Sequence, residues 1–248
     1  MKRVSIFSPK GGSGKTTMTV LLSSWLSYHE GAKVCVMDFD SPMHHLRSLR
    51  ESDLSLAGDP SSQLSARLRE GSAPEPYDIL TVKAAEKEVL DTVDRLSTCS
   101  LDYLLYDLPP GMGPEDPVTT LVTEGYIDFV AIPVDTDPLS VRSALVLADA
   151  LRRCAVPEVL FWNRVSTTEA STDCKRLSLG AEPFTSRGFT LMDENVRELR
   201  TLSRDCSEMG FIRSTLCFPE RHITPRCPSL LPFLECLRRH IDGAPSVI

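Results

Sequence analysis

Short apolar runs rich in β-branched residues alternate along this chain with longer stretches whose apolar residues recur at helical spacing. Val4 to Phe7 is the first run, and Thr16 to Tyr28 follows with apolar positions three and four apart, so the chain opens as strand, glycine-rich loop, helix. Lys33 to Phe39 predicts a second strand that ends in acidic residues, and Tyr103 to Leu108, Phe129 to Val134, Val159 to Trp162 and Ile212 to Phe218 predict further strands. Helices are expected over Glu86 to Leu96, Leu139 to Arg153 and Glu194 to Met209. Between Arg47 and Ala85 the sequence turns polar, with Gly58, Pro60, Gly71, Pro74 and Pro76, which predicts loops around a short helix near Ser61 to Glu70. Strand–helix alternation of this kind predicts an α/β fold: a mostly parallel twisted sheet flanked by helices on both faces, as a single domain over residues 1–248. Ligands then collect beyond the carboxyl ends of the strands, where the loops after Phe7, Phe39 and Leu108 should meet.

Composition narrows the class without naming an activity. Of the 248 residues 42% are hydrophobic and 25% charged, ordinary for a chain able to bury a large core. Lys10 and Lys15 interrupt the apolar start before it reaches the length of a signal peptide, and no stretch approaches the roughly 20 apolar residues of a membrane span. The eight cysteines form no C-x-x-C pair, so reduced core thiols in a cytoplasm are expected. The net charge of −7 argues against tight nucleic-acid binding by bulk charge, yet residues 188–248 carry 8 Lys+Arg against 8 Asp+Glu, which leaves room for a local basic face.

Chemistry concentrates in Lys10-Gly11-Gly12-Ser13-Gly14-Lys15-Thr16-Thr17. Between a strand and a helix, glycines let backbone N–H groups turn inward on phosphates, and the helix N-terminus adds a favourable dipole. Lys15 is placed to neutralise the β and γ phosphates of ATP, and the Thr16 hydroxyl to reach Mg²⁺. Lys10 is surplus to that cradle, because a phosphate loop needs only the second lysine. Asp38 and Asp40, two apart at a strand end, point the same way and suit either a metal and water site or the capping of a turn or helix. Asp107 ends the apolar strand before Leu108-Pro109-Pro110-Gly111.

The loop resembles that of the ParA/MinD family of P-loop ATPases, K-G-G-x-G-K-[ST], at every fixed position. The resemblance extends through Val34 to Met43, VCVMDFDSPM, through Tyr103 to Gly111, and through Ile132-Pro133-Val134 and Asn163-Arg164. It implies that Lys10 reaches the nucleotide of a second subunit in an ATP-sandwich homodimer. Asp38 would support the metal shell, Asp40 would hold the attacking water, Asp107 would bind Mg²⁺ through water, and Pro109 to Gly111 would sense the γ-phosphate. Asn163 and Pro219 would contact adenine. Met43 stands where the family often has Gln, which puts water activation in question.

By the same resemblance the expected function is a ParA-like ATPase, weakly active alone and stimulated by an adaptor protein, that binds DNA non-specifically as an ATP dimer and partitions or positions a plasmid, chromosome region or other cargo. Arg197, Arg200 and Arg204 share one face of a predicted helix and are the candidate DNA contacts, with Glu198, Asp205 and Glu208 nearby as competing partners. Such a protein is expected in the cytoplasm, associated with the nucleoid. Two alternatives belong to other classes. A MinD-like positioning ATPase would need a membrane-binding C-terminal helix, but Pro232 and the sparse basic group Arg238, Arg239 and His240 favour instead a helix packed on the sheet. A metabolic enzyme of the dethiobiotin synthetase type would need a small-molecule pocket at the γ-phosphate. An iron–sulfur carrier would need suitably paired cysteines, which are not seen here, and with the first strand at Val4 no N-terminal helix-turn-helix domain is expected.

Overall fold

The computed structural model describes residues 1–70, 75–82, 86–113, 115–165, 172–196, 214–218, 220 and 227–244. Strands β1 (Lys2–Ile6), β2 (Val34–Asp38), β3 (Asp78–Thr81), β4 (Tyr103–Asp107), β5 (Phe129–Val134) and β6 (Glu158–Trp162) form one sheet in the order β3-β2-β4-β1-β5-β6. Every recorded pairing is parallel. The order reverses around β1: α1 (Lys15–Tyr28) carries the chain from β1 toward the β2 side, whereas β5 pairs on the other edge of β1. A crevice opens at such a reversal beyond the strand ends, because the crossovers leave it in opposite directions.

Both faces of the sheet are covered, and the strand sequences show why. Side chains alternate across a strand, so in β4 Tyr103 and Leu105 enter one core while Leu104 and Tyr106 enter the other. The first core packs α1 and a C-terminal helix α8 (Leu230–Gly243) on the sheet, with Trp25, Leu26, Leu230, Phe233, Leu234 and Leu237 all buried. The Phe161 and Phe233 rings lie 4.8 Å apart, fixing α8 to β6, an aromatic contact worth about 1 kcal/mol beyond area burial. The second core packs α4 (Glu86–Ser97), α5 (Pro117–Thr123), α6 (Pro138–Arg153) and α7 (Thr172–Thr185) on the opposite face. As expected, the apolar side of α8 is spent on the sheet; among the described residues no helix is long and apolar enough to cross a membrane.

Several local expectations are corrected. Arg47 to Ala85 is not mainly loop: it holds α2 (His45–Gly58), α3 (Gln63–Glu70) and the edge strand β3. α2 is amphipathic only weakly, burying Leu46 and Asp53, so periodicity could not announce it. Residues 214–218 are not a strand; Leu216 is buried against α1 and the sheet as irregular backbone, and a short apolar run does not separate those cases. Residues 194–196 are not helical, and Val196 N–H donates to Trp162 O at 2.9 Å as the chain runs beside β6. The remainder of the predicted 194–209 helix, with Arg197, Arg200 and Arg204, lies outside the described residues, as does Pro219.

Candidate functional site

The phosphate loop sits at the reversal point, between the carboxyl end of β1 and the start of α1. Gly12 and Gly14 adopt φ of +70° and +87°, a region that L side chains enter only with strain. Gly14 is the N-cap of α1 and provides no side-chain cap, so the first-turn amides of that helix keep their donor capacity. A Cβ on Gly14 would stand 2.8 Å from Asn163 Nδ2, which itself donates to Ser13 O at 2.8 Å. Thus Asn163, buried just past β6, is held on the loop's backbone at Ser13; Gly11 and Gly12 precede that residue in the loop, and Thr17 lies in the first turn of α1.

Parallel pairing brings the acidic strand ends to the same rim. Asp38 and Asp107 are Cα partners in the β2–β4 ladder, with β4 next to the loop-bearing β1 and β2 one strand further out. Thr16 Oγ1 donates to Asp107 Oδ1 at 3.2 Å, whereas the buried Asp107 Oδ2 has no protein hydrogen-bond partner. Burial raises the Asp107 carboxyl to about 7; the Thr16 hydroxyl and Lys15 oppose the rise, and Asp38 and Asp40 add to it. Lys15 is buried beside them and donates to Lys10 O at 3.3 Å. Desolvation pulls its ammonium below the usual lysine range, partly offset by the charges of Asp107 and Asp40. A buried ammonium, an unpaired carboxylate oxygen and an adjacent hydroxyl make an electrostatic arrangement that a magnesium-bound phosphate would complete. The Pro109-Pro110-Gly111 turn follows directly, with Gly111 at φ +126° and its Cβ position blocked by Asp116 Oδ2 at 2.7 Å.

Asp38 and Asp40 lie at the same rim with different engagements. Asp38 is fully buried; Oδ1 accepts Asp40 N at 3.0 Å, and Oδ2 accepts Leu46 N at 3.1 Å and Arg47 N at 3.2 Å. Its carboxylate therefore caps the first turn of α2. Asp40 is half-buried, within electrostatic reach of Lys15 and Asp107.

Lys10 turns away from its own loop. Its Nζ lies 2.7 Å from Asp137 Oδ2 and 3.5 Å from Asp135 Oδ2, beyond the end of β5, with the side chain about one-third exposed. The hydrogen bond to Asp137 raises its pKa, against desolvation that would lower it. Arg164 grips Asp135 through both Nε and Nη2, and Asp137 also caps α6 by accepting Leu139 N and Ser140 N. Sequence reading missed Asp135 and Asp137, and gave Arg164 no role, although Asp135-Thr136-Asp137-Pro138 repeats the D-x-D spacing of Asp38 and Asp40 at another strand end. It also missed His44 and His45, whose rings face Asp38 and Asp40.

Comparison with known proteins gives this rim a family. A model described as the CobQ/CobB/MinD/ParA nucleotide binding domain matches residues 4–214. The cytosolic Fe-S cluster assembly factor NBP35 of Eremothecium gossypii is 30% identical over 207 residues, which are 77% of this chain and 61% of that protein. This chain thus spans about three-fifths of that relative's length. A ParA family protein of Chlamydia muridarum is 26% identical over 214 residues, 79% of this chain and 74% of the relative. The MinD cell division protein of Aquifex aeolicus shares the fold, with a TM-score of 0.65 at 17% identity over 96% of this chain and 97% of the other.

Proposed function

The chain belongs to the CobQ/CobB/MinD/ParA family, within its ParA/MinD group of P-loop ATPases, and from that premise we propose that it is an ATP-driven dimerisation switch that binds DNA non-specifically and partitions or positions a cargo. The observation that carries the dimer is the direction of Lys10. A second cation in the loop that points out to Asp137 at the surface adds nothing to its own phosphate cradle, and on leaving that pair it would serve a nucleotide held by a second copy.

Within one subunit the amides of Gly11 to Thr17 and the Lys15 ammonium hold the triphosphate, and Asn163, directly after β6, contacts the base together with Pro219. The donor set fits Mg²⁺: a threonine hydroxyl beside a buried carboxylate with an unpartnered oxygen is the hard-oxygen chemistry that ion selects. Thr16 and Asp107 would hold it, Asp38 would support it from the start of α2, and the ion would supply positive charge at the transferring phosphate. Asp40 orients the attacking water, and closure around the second copy excludes bulk solvent. An adaptor protein stimulates turnover.

The DNA assignment draws on Arg197, Arg200 and Arg204 in each copy. Arg238, from the same third of the chain, is engaged with Glu30 and Asp242 instead. Mobility of non-specific DNA with ATP, ADP or no nucleotide tests this, using wild type and the triple Arg197, Arg200, Arg204→Ala protein. Retardation with ATP that the triple variant loses is expected; equal retention by both sinks the surface. Light scattering with magnesium and ATP tests the dimer, and an association unchanged by Lys10→Ala would remove its cross-subunit role. An iron–sulfur scaffold is the reading that the Eremothecium relative favours. It would need closely spaced cysteines, and the eight here include no C-x-x-C pair. Iron and sulfide content after anaerobic reconstitution decides between them.

A further inference from the structure

His45 stands at the first position of α2 with its Nε2 3.4 Å from Asp40 Oδ2. An exposed histidine beside an aspartate is ordinarily a loose surface pair. Here the backbone removes the looseness. The turn from Asp38 to Arg47 is closed by Asp40 N and Leu46 N on the Asp38 carboxylate, and by His44 N donating to Asp40 O at 2.6 Å. Both ends of the His45–Asp40 pair are therefore anchored to the end of β2. Asp40 is the carboxylate that interacts with Lys15 and Asp107 across the phosphate-binding rim, and His45, itself 57% exposed, is the ring beside it.

We propose that His45 is a positioning residue for ATP hydrolysis, holding Asp40 Oδ2 through its Nε2. This rests on the ATPase reading above. The ring nitrogen fixes the direction in which Asp40 presents the carboxylate that must accept the water's hydrogen, so the pair acts on kcat rather than on nucleotide affinity. The charged groups facing this pair are Lys15 on α1 and Asp107 on β4, both acting on Asp40; on its own helix Arg47 is engaged with Glu51 at 3.0 Å. His44 faces Asp38 at 3.7 Å and belongs to the cap of α2 rather than to this pair.

The test is phosphate release by the full chain at saturating magnesium and ATP, for wild type, His45→Gln and His45→Ala. Glutamine keeps an amide donor at the reach of Nε2. His45→Gln should retain wild-type kcat within about twofold. His45→Ala should lose about tenfold in kcat, with affinity for a fluorescent ATP analogue within about twofold of wild type. A His45→Ala kcat within about twofold of wild type, or a loss in His45→Gln as large as that in His45→Ala, overturns the proposal and leaves the ATPase reading standing. Absence of magnesium-dependent turnover in wild type overturns both.

Discussion

Asp107 at the end of β4 and Asp53 in the later turns of α2 are both buried, both carry one oxygen without a protein partner, and both have a carboxyl raised by desolvation. Their surroundings differ. Asp53 Oδ2 accepts Thr215 N at 2.7 Å, Thr215 Oγ1 at 2.8 Å and Ser214 Oγ at 3.2 Å. Arg50 braces the same segment, donating to Thr215 Oγ1 and Tyr77 O and lying over the Tyr77 ring at 4.8 Å. These bonds tie α2 and residues 214–216 to the sheet edge, and Ser24 and Tyr28 of α1 add bonds to Ser214 O and Thr215 O. Asp107 has one hydroxyl donor, two acidic neighbours and a desolvated lysine. A polar cluster whose donors are already spent locks the fold, whereas one whose charges remain uncompensated is prepared for a ligand.

The largest expected effect separates the two regions outright. Lys15→Ala should weaken ATP by about 10³-fold, about 4 kcal/mol, in a calorimetric titration, while the melting temperature of the ligand-free protein holds or rises because a buried charge is gone. A matching loss of stability would place Lys15 with the structural cluster instead.

Next comes the pH dependence of Asp107. Its folded value of about 7 exceeds the ordinary 3.8, so the fold favours the neutral acid. The associated stability is present below about pH 4 and is lost as pH rises through 7, to an upper bound of about 4 kcal/mol. Asp107→Asn should flatten that slope in urea melts of the magnesium-free protein at pH 5 and pH 8, and identical slopes would refute the electrostatic picture of the rim.

Asp53→Ala should cost about 3 kcal/mol by stranding the donors of Thr215 and Ser214. Lys15-dependent phosphate binding should change little, and a nucleotide defect as large as that of Lys15→Ala would erase the distinction between the clusters. Asp137→Asn is the smallest change. Asparagine keeps the cap of α6 but drops the charge that holds Lys10, so release of a half-exposed pair should tighten ATP-dependent dimerisation by about 0.5 kcal/mol, roughly twofold. Weaker dimerisation would mean that Asp137 presents Lys10 rather than restrains it.

The phosphate loop was legible because its chemistry is local: Gly12 and Gly14 supply the backbone angles, and Lys15 and Thr16 follow within one turn of helix. The strand ends at Asp38 and Asp107 were legible for the same reason, each closing a compact apolar run. The segment around Thr215 was misread as a strand because burial, not pairing, makes it apolar. α2 escaped notice because it meets the core through Leu46 and Asp53 rather than through a continuous stripe.

By itself the sequence determined which short stretches become strands, which loop can wrap phosphate, and the family to which that loop is similar, since each depends on neighbours within a few residues. Tertiary structure decided that β1 lies between β4 and β5, which is what sets Asp107 beside Thr16 and Asp135 and Asp137 beside Lys10. It also decided that Asp38 is spent on the start of α2 and that His45 meets Asp40. The contacts of Thr16 and Lys10 join residues 91 to 127 positions apart, where only packing of the sheet and its helices selects one partner among many.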